Sequence, residues 1–199
     1  MESVKNSNLV ARTLVLLSVL AMAQGAGQAA VIFDSGNVTF ASTGTQSGRL
    51  ARDGVPSDWS GPKVFPGVIN SATPYAYELF TLNVGPYSFI QINFDDPSAA
   101  FFVSAYLGSF NPASLAGNYL GDPGLTQPFG NPSFFQIVVA PFTTLALPVN
   151  ETVSGGGTGR TIALLVEGFV DTEFNDVPES SSILLLGSGF GLIALLRKP

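Results

Sequence analysis

Short stretches in which apolar residues recur at every second position, cut apart by turn residues, constrain this chain more than any other feature. From Ser88 to Phe94, Phe89, Gln91 and Asn93 alternate with Ile90, Ile92 and Phe94. From Tyr75 to Val84, Tyr75, Tyr77, Leu79 and Thr81 fall on one side, and Ala76, Glu78, Phe80 and Leu82 on the other. Successive side chains of a strand point to opposite faces, so a period of two marks half-buried strands. Other short apolar runs are Val31 to Phe33, Val38 to Ala41, Phe101 to Leu107, Phe134 to Val139, Phe142 to Leu147 and Thr161 to Val170. Between them lie Asp95-Asp96-Pro97, Asn111-Pro112, Gly121-Asp122-Pro123-Gly124, Gly130-Asn131-Pro132 and Gly155-Gly156-Gly157. Gly supplies positive φ, Pro pre-sets φ, and Asn and Asp bond their own backbone, so these clusters read as turns. About eight strands so spaced predict an all-β fold: an antiparallel β-sandwich of jelly-roll type over residues 31–172. Outside the two ends the sequence shows no amphipathic helix of ten residues.

Composition then removes several chemistries. The chain has no cysteine and no histidine. Zinc sites built from those residues, cysteine nucleophiles and histidine general bases are therefore excluded. Charged residues are 11% of the chain, against a usual share of about 25%. The net charge is −6, and from Val31 to Asp176 four basic against twelve acidic residues give −8. Such a body repels phosphate backbones, which argues against a nucleic-acid partner.

The two ends differ from the middle. Lys5 and Arg12 precede an apolar run from Thr13 to Ala23, and Ala21-Met22-Ala23 is an A-x-A cleavage pattern. This predicts a secretory signal peptide over residues 1–30, cut after Ala23, Ala29 or Ala30. At the other end, residues 173–199 hold a Pro-Glu pair, three serines, a charge-free run from Ile183 to Leu196, and the cations Arg197 and Lys198. As a helix, that run covers roughly 21 Å, short of the roughly 30 Å hydrocarbon core. Its terminal cations are expected to stop on the cytoplasmic side.

This order of parts resembles the PEP-CTERM sorting signal of exopolysaccharide-producing Gram-negative bacteria. The matching motif is Val177-Pro178-Glu179-Ser180, with Ser180 in place of the family's second proline. The resemblance implies an exosortase substrate, exported by the secretion machinery and trimmed by signal peptidase. Such a protein is anchored transiently in the inner membrane and then released to the cell surface or medium. The resemblance also implies an association with extracellular polysaccharide or biofilm matrix.

A second likeness covers most of Gly44 to Gly168. Its residues are Gly48-Arg49-Leu50-Ala51-Arg52-Asp53-Gly54-Val55-Pro56-Ser57, Phe65-Pro66-Gly67, Phe102 to Pro112 and Asn118-Tyr119-Leu120-Gly121-Asp122. It is similar to a module found, often in tandem, in bacterial extracellular proteins and expected to be a β-sandwich. Many such modules carry cysteines near the Arg-Asp-Gly-Val-Pro-Ser segment; this chain has none.

Candidate site residues follow from residue chemistry. Asn93, Asp95, Asp96 and Asp122 offer the oxygen ligands that calcium requires, although Asn and Asp also favour turns for their own sake. Calcium is the one cofactor this pattern suggests, and a calcium-stabilised adhesin or glycan-binding module is the alternative function. Arg49 and Arg52 could grip sugar carboxylates in bidentate fashion. The simpler expectation is that Arg52 pairs with Asp53, Asp58 or another local carboxylate and pins a long loop from Gly44 to Pro74. Trp59 is the best single aromatic for a glycan contact, with loop anchoring as its plainer role. No serine elbow is present, and the Gly155 to Gly159 run lacks the lysine of a phosphate loop. The chain is therefore expected not to be an enzyme. A secreted glycan hydrolase would need two carboxylates, and Glu78 and Glu167 are the strand-borne candidates.

Overall fold

The computed structural model describes residues 29–126 and 133–170, in which ten strands are found. In chain order they are β1 (Ala30–Thr39), β2 (Gly44–Leu50), β3 (Val68–Asn83), β4 (Phe89–Asp95), β5 (Phe101–Val103), β6 (Ala105–Leu107), β7 (Tyr119–Gly121), β8 (Ser133–Val138), β9 (Thr144–Glu151) and β10 (Thr161–Phe169). One sheet has four strands in the order β1-β10-β4-β8. The other has six, in the order β2-β3-β9-β6-β7, with β5 also pairing β9. All strand pairings are antiparallel. Among the described residues there is no helix, and so none long and apolar enough to cross a membrane. The all-β sandwich expected from the period-two runs is therefore the observed fold.

Alternation decides what lies between the sheets. Ile90, Ile92 and Phe94 of β4 face inward beside Ile162, Leu164 and Val166 of β10 and Phe135 and Ile137 of β8. From the other sheet, Leu82, Leu145, Leu147, Val149, Phe101 and Val103 complete the core. Each full burial of such a side chain contributes about 1.5–3 kcal/mol, so these residues set which face of each strand turns inward.

A smaller cluster sits on the outer side of the six-stranded sheet. Leu50, Phe102 and Leu115 are buried there, with Phe65, Phe110 and Tyr119 against them. Phe101 and Phe102 are neighbours in sequence, yet one belongs to each cluster. β5 is thus buried on both faces, which is why its sequence does not alternate.

Several boundaries differ from expectation. Val31 to Phe33 and the first two residues of the Val38 to Ala41 run belong to a single strand, β1, which ends at Thr39 and whose pairing with β10 shifts at Val31/Phe33 and at Asp34/Asn37. β3 begins at Val68 rather than Tyr75. The loop expected from Gly44 to Pro74 is instead opened by β2 and closed by the first residues of β3. Ser47 pairs with Pro74 and Arg49 with Ile69, so residues 70–73 bulge out of β3. Gly48 sits at the joint with φ +77. β2 escapes a hydrophobicity reading because its buried residues include a glutamine: Gln46 and Leu50 are both 2% exposed.

The first and last strands are neighbours. Ala30 pairs with Gly168 and Thr39 with Thr161, so the chain enters and leaves this sheet at one end. Of the predicted cleavage residues, Ala29 is exposed and precedes β1, whereas Ala30 is its first residue. Ala23, Val177, Pro178, Glu179, Arg197 and Lys198 lie outside the described residues.

Candidate functional site

The inward Ile90, Ile92 and Phe94 leave Phe89, Gln91 and Asn93 on the outer face of the four-stranded sheet. Register places Gln91 between Glu167 on β10 and Gln136 on β8. These side chains form a ladder across three strands. Gln136 Nε2 donates to Gln91 Oε1 at 2.8 Å. Gln91 Nε2 donates to Asn93 Oδ1 at 3.0 Å and to Glu167 Oε2 at 3.3 Å. Asn93 Nδ2 donates to the same Glu167 oxygen at 2.9 Å and to the Leu165 carbonyl at 3.2 Å. One carboxylate oxygen thus collects two amide donors, which ties all four side chains together on the outer face of the sheet. Such bonds between neighbours hold donors and acceptors in fixed positions.

The row beyond Gln91 is apolar: Phe89 stands between Phe169 and Val138. Trp59, from the loop before β3, lies on this row. Its ring meets Phe89 and Phe169 edge-on, at centroid distances of 5.6 and 5.1 Å. Its Nε1 donates to the Ile90 carbonyl at 3.3 Å. Trp59 is half-buried and holds its loop to the sheet, the plainer of the two roles its sequence suggested. Beside it opens a cleft of ≈ 400 Å³ lined by Trp59, Lys63, Tyr119, Gln136 and Val138 among others. Gln136 belongs to both ladder and cleft, so the two form one continuous surface. Phe134 and Val138, 53% and 48% exposed, border it on β8.

The wall of the cleft is built on a buried ion pair. Lys63 Nζ lies 2.6 Å from Asp122 Oδ1 and 2.9 Å from Asp53 Oδ1. It also donates to the Val55 carbonyl. Asp122 is 0% exposed and further accepts the Tyr119 hydroxyl and, at 2.6 Å, the Gly124 N–H. Burial pushes the Tyr119 hydroxyl far above the ordinary tyrosine range, and its bond to the Asp122 carboxylate adds to the shift. For Asp53, burial works upward, but bonds from Lys63 and the Val55 N–H outweigh it and leave the group lowered.

The four candidate calcium ligands occupy separate networks. Asn93 belongs to the ladder. Asp95 ends β4, exposed. Asp96 accepts the Ser98 N–H at 3.0 Å and the Phe101 N–H at 2.7 Å, which shapes the turn between β4 and β5. Asp122 is held by Lys63, Tyr119 and Gly124. Among the described residues no group of three or more acidic side chains is placed to hold a metal. Nor are the two candidate acids brought together. Glu167 lies in the four-stranded sheet, and Glu78 lies in the six-stranded sheet, accepting the Ala41 N–H at 3.0 Å.

The expected pairing of Arg52 with Asp53 or Asp58 does not occur. Lys63 reaches Asp53 instead, and Asp58 accepts from the Ser60 N–H at 2.9 Å. Arg52 rests over the Phe102 ring, 6.0 Å from its centroid. Burial, followed by the nearby charge of Arg49, lowers the Arg52 pKa.

Two site residues, and one structural carboxylate away from the site, carried little signal in the sequence. Gln136 is the one polar residue of the apolar run Phe134 to Val139, and nothing else in the sequence sets it apart. Lys63 gave no sign of Asp122, which lies 59 residues away. Glu151 is 2% exposed and accepts the N–H groups of Ala76, Gly155 and Gly157 at 3.2, 2.9 and 2.9 Å. It ties the glycine turn between β9 and β10 to β3.

No protein-family model matches the chain, and no curated protein matches it. Among solved structures it is similar to a cycloisomaltooligosaccharide glucanotransferase of Paenibacillus sp., complexed with cycloisomaltoheptaose. Identity is 14% over 73% of this chain and 18% of that one, with a TM-score of 0.25. The chain spans less than a fifth of that enzyme's length, and a likeness of this degree carries neither its activity nor its ligand across.

Proposed function

We propose that this chain is an exported, non-catalytic module that attaches to extracellular polysaccharide through the outer face of its four-stranded sheet. The observation that carries this reading is the Gln136-Gln91-Glu167-Asn93 ladder. Sugars present hydroxyls that both donate and accept, and side-chain amides beside a carboxylate offer both functions at fixed spacing. The flanking Phe134 and Trp59 supply apolar surface for the faces of sugar rings. Each hydroxyl bond contributes only about 0.5–1.5 kcal/mol net, so attachment strengthens by repetition along a polymer. Glu167, on the β10 side of the ladder, favours an uncharged glycan over a uronate.

The predicted signal peptide and PEP-CTERM-like tail support export, transient anchoring in the inner membrane and release to the cell surface. Exosortase and signal peptidase are then the processing partners. Mass spectrometry of the mature termini tests that route. A first cut after Ala23 or Ala29 leaves β1 whole, and a second is expected near residues 177–180.

Binding is tested by affinity electrophoresis of the full-length chain in gels carrying neutral polysaccharides, the producing organism's own included. Retention is expected, with a loss of tenfold or more in Gln91→Ala and Gln136→Ala. No retention by any of them, or retention indifferent to both substitutions, would overturn the reading.

A further inference from the structure

The cleft beside Trp59 is bordered by β8, an edge strand of the four-stranded sheet. The Val139 N–H runs inward to the Ser88 carbonyl, and the Gln136 N–H runs outward to the Ser57 carbonyl, both at 2.9 Å. Main-chain groups of an antiparallel strand alternate in direction. Val138, two residues beyond Gln136, therefore turns its N–H and its carbonyl out of the sheet edge as well. Neither has a backbone partner among the described residues outside the sheet. Val138 is 48% exposed and lines the cleft, so a ligand can reach these groups.

Other polar groups of the lining are already engaged. Lys63 is the one charged residue among the described residues of the lining, and it directs three bonds to Asp53, Asp122 and the Val55 carbonyl. Tyr119 gives its hydroxyl to Asp122. Gln136 is different. Its Nε2 donates once, to Gln91, and its second N–H and its Oε1 have no bond among the described residues. Pro62, Leu120 and Ile137 add apolar wall. At ≈ 400 Å³ the cleft falls in the range of small-ligand sites, about 300–1,000 Å³. It thus offers one main-chain amide and one side-chain amide in apolar surroundings, with its cation already neutralised.

We propose that this cleft is a subsite for the acetamido group of an N-acetylated sugar. That group is neutral, and it carries one N–H, one carbonyl and a methyl. Its N–H and carbonyl complement the open groups of Val138 and Gln136, and its methyl meets the apolar wall. A peptide strand would need a run of open main-chain groups. Ser57 closes the edge at Gln136, and β8 ends at Val138, so this part of the edge has room for a single amide. Gln136 also belongs to the ladder, so a sugar ring lying there can send its acetamido group into the cleft. The preference for an amide stands on the cleft alone; that a sugar carries it rests on the function proposed above.

Calorimetric titration of the full-length chain in a polyoxyethylene detergent tests this. The probes are triacetylchitotriose, its deacetylated form, cellotriose and N-acetylalanine methylamide. Triacetylchitotriose is expected to bind at least tenfold more tightly than each of the others, and to shift the Val138 amide proton resonance. Val138→Pro removes the outward N–H without breaking a bond to β4, as an edge strand allows. It is expected to abolish most of the preference with an unchanged circular dichroism spectrum. Val138→Thr, which keeps the N–H and the branched shape, is expected to preserve it. Gln91→Ala is expected to weaken triacetylchitotriose and cellotriose alike and to leave their ratio unchanged. Absence of triacetylchitotriose binding overturns the proposal. So does equal affinity for any other probe, an unmoved Val138 resonance, or a preference that survives Val138→Pro. Polymer retention that depends on Gln91 but shows no acetamido preference overturns this proposal and leaves the attachment reading standing. An acetamido preference that depends on Val138, without polymer retention, does the reverse.

Discussion

At the scale of single residues, buried charge governs this protein. Lys63 and Asp122 have side chains 7% and 0% exposed, 2.6 Å apart. Removing one partner of such a pair strands the other, at a cost of about 3–5 kcal/mol, whereas replacing both with apolar groups costs far less. Lys63→Met is therefore expected to lower unfolding stability in urea by about 3–5 kcal/mol, and Lys63→Met with Asp122→Leu to recover most of it. The same region sets the response to pH. Tyr106 and Tyr119 are both pushed above their ordinary range, chiefly by burial. A raised tyrosine favours the neutral hydroxyl, so its contribution is full below the unfolded value of about 10 and is lost as pH climbs toward the folded one. Asp53 has the opposite sign: its lowered pKa stabilises above the unfolded carboxylate value, and this is lost as pH falls through the folded one. Ultraviolet titration is expected to show two of the five tyrosines ionising only as the chain unfolds in alkali, with no earlier step for either. None of this was visible in the sequence, where Asp122 read as a turn residue or a candidate calcium ligand. The neighbours that bury it come from the segment holding Val55 and Lys63, and period and spacing carry no information about such distant partners.

Elements repeat the pattern. β4 and β10 could be read directly, because each has one face in the core and one in the open. β2 could not, since its sequence, GTQSGRL, buries a glutamine and depends on a bulge. At that bulge, Gly48 has φ +77, and a Cβ there would lie 2.6 Å from Val68 Cγ1 and 2.9 Å from the Ile69 carbonyl oxygen. Gly48→Ala is expected to cost more than about 1 kcal/mol, since alanine is strained at positive φ and the backbone opposite cannot withdraw. Broadened amide resonances in β2 and in residues 68–74 would report the disturbed register. The turn between β9 and β10 is governed by Glu151 rather than by its glycines. Glu151→Ala leaves the buried Gly157 N–H unpaired, at a cost of about 1–3 kcal/mol, and frees those of Ala76 and Gly155. Hydrogen exchange at Gly155 and Gly157 is expected to accelerate far more than exchange in β4. Equal acceleration in both places would point to global destabilisation instead.

For the whole molecule, the decisive contact is the one that closes the chain on itself, β1 against β10. Removal of β1 would bare an edge of β10 whose inward residues Ile162, Leu164 and Val166 are fully buried. Unpaired edges template association, so a chain lacking residues 30–39 is expected to elute as oligomers in size-exclusion chromatography where the intact chain does not. The sequence alone determined the class of fold, because a period of two admits only strands, and strands with one apolar face must bury it against another sheet. It also excluded histidine and cysteine chemistry. It displayed Gln91 and Asn93 on one face of a strand but could not show what stood beside them. Only the tertiary structure placed Gln136 and Glu167 on either side of Gln91 and gave Asp53 to Lys63 rather than to Arg52. The physical reason is that alternation is a local property of the backbone, whereas a site is made by register between strands far apart in the chain.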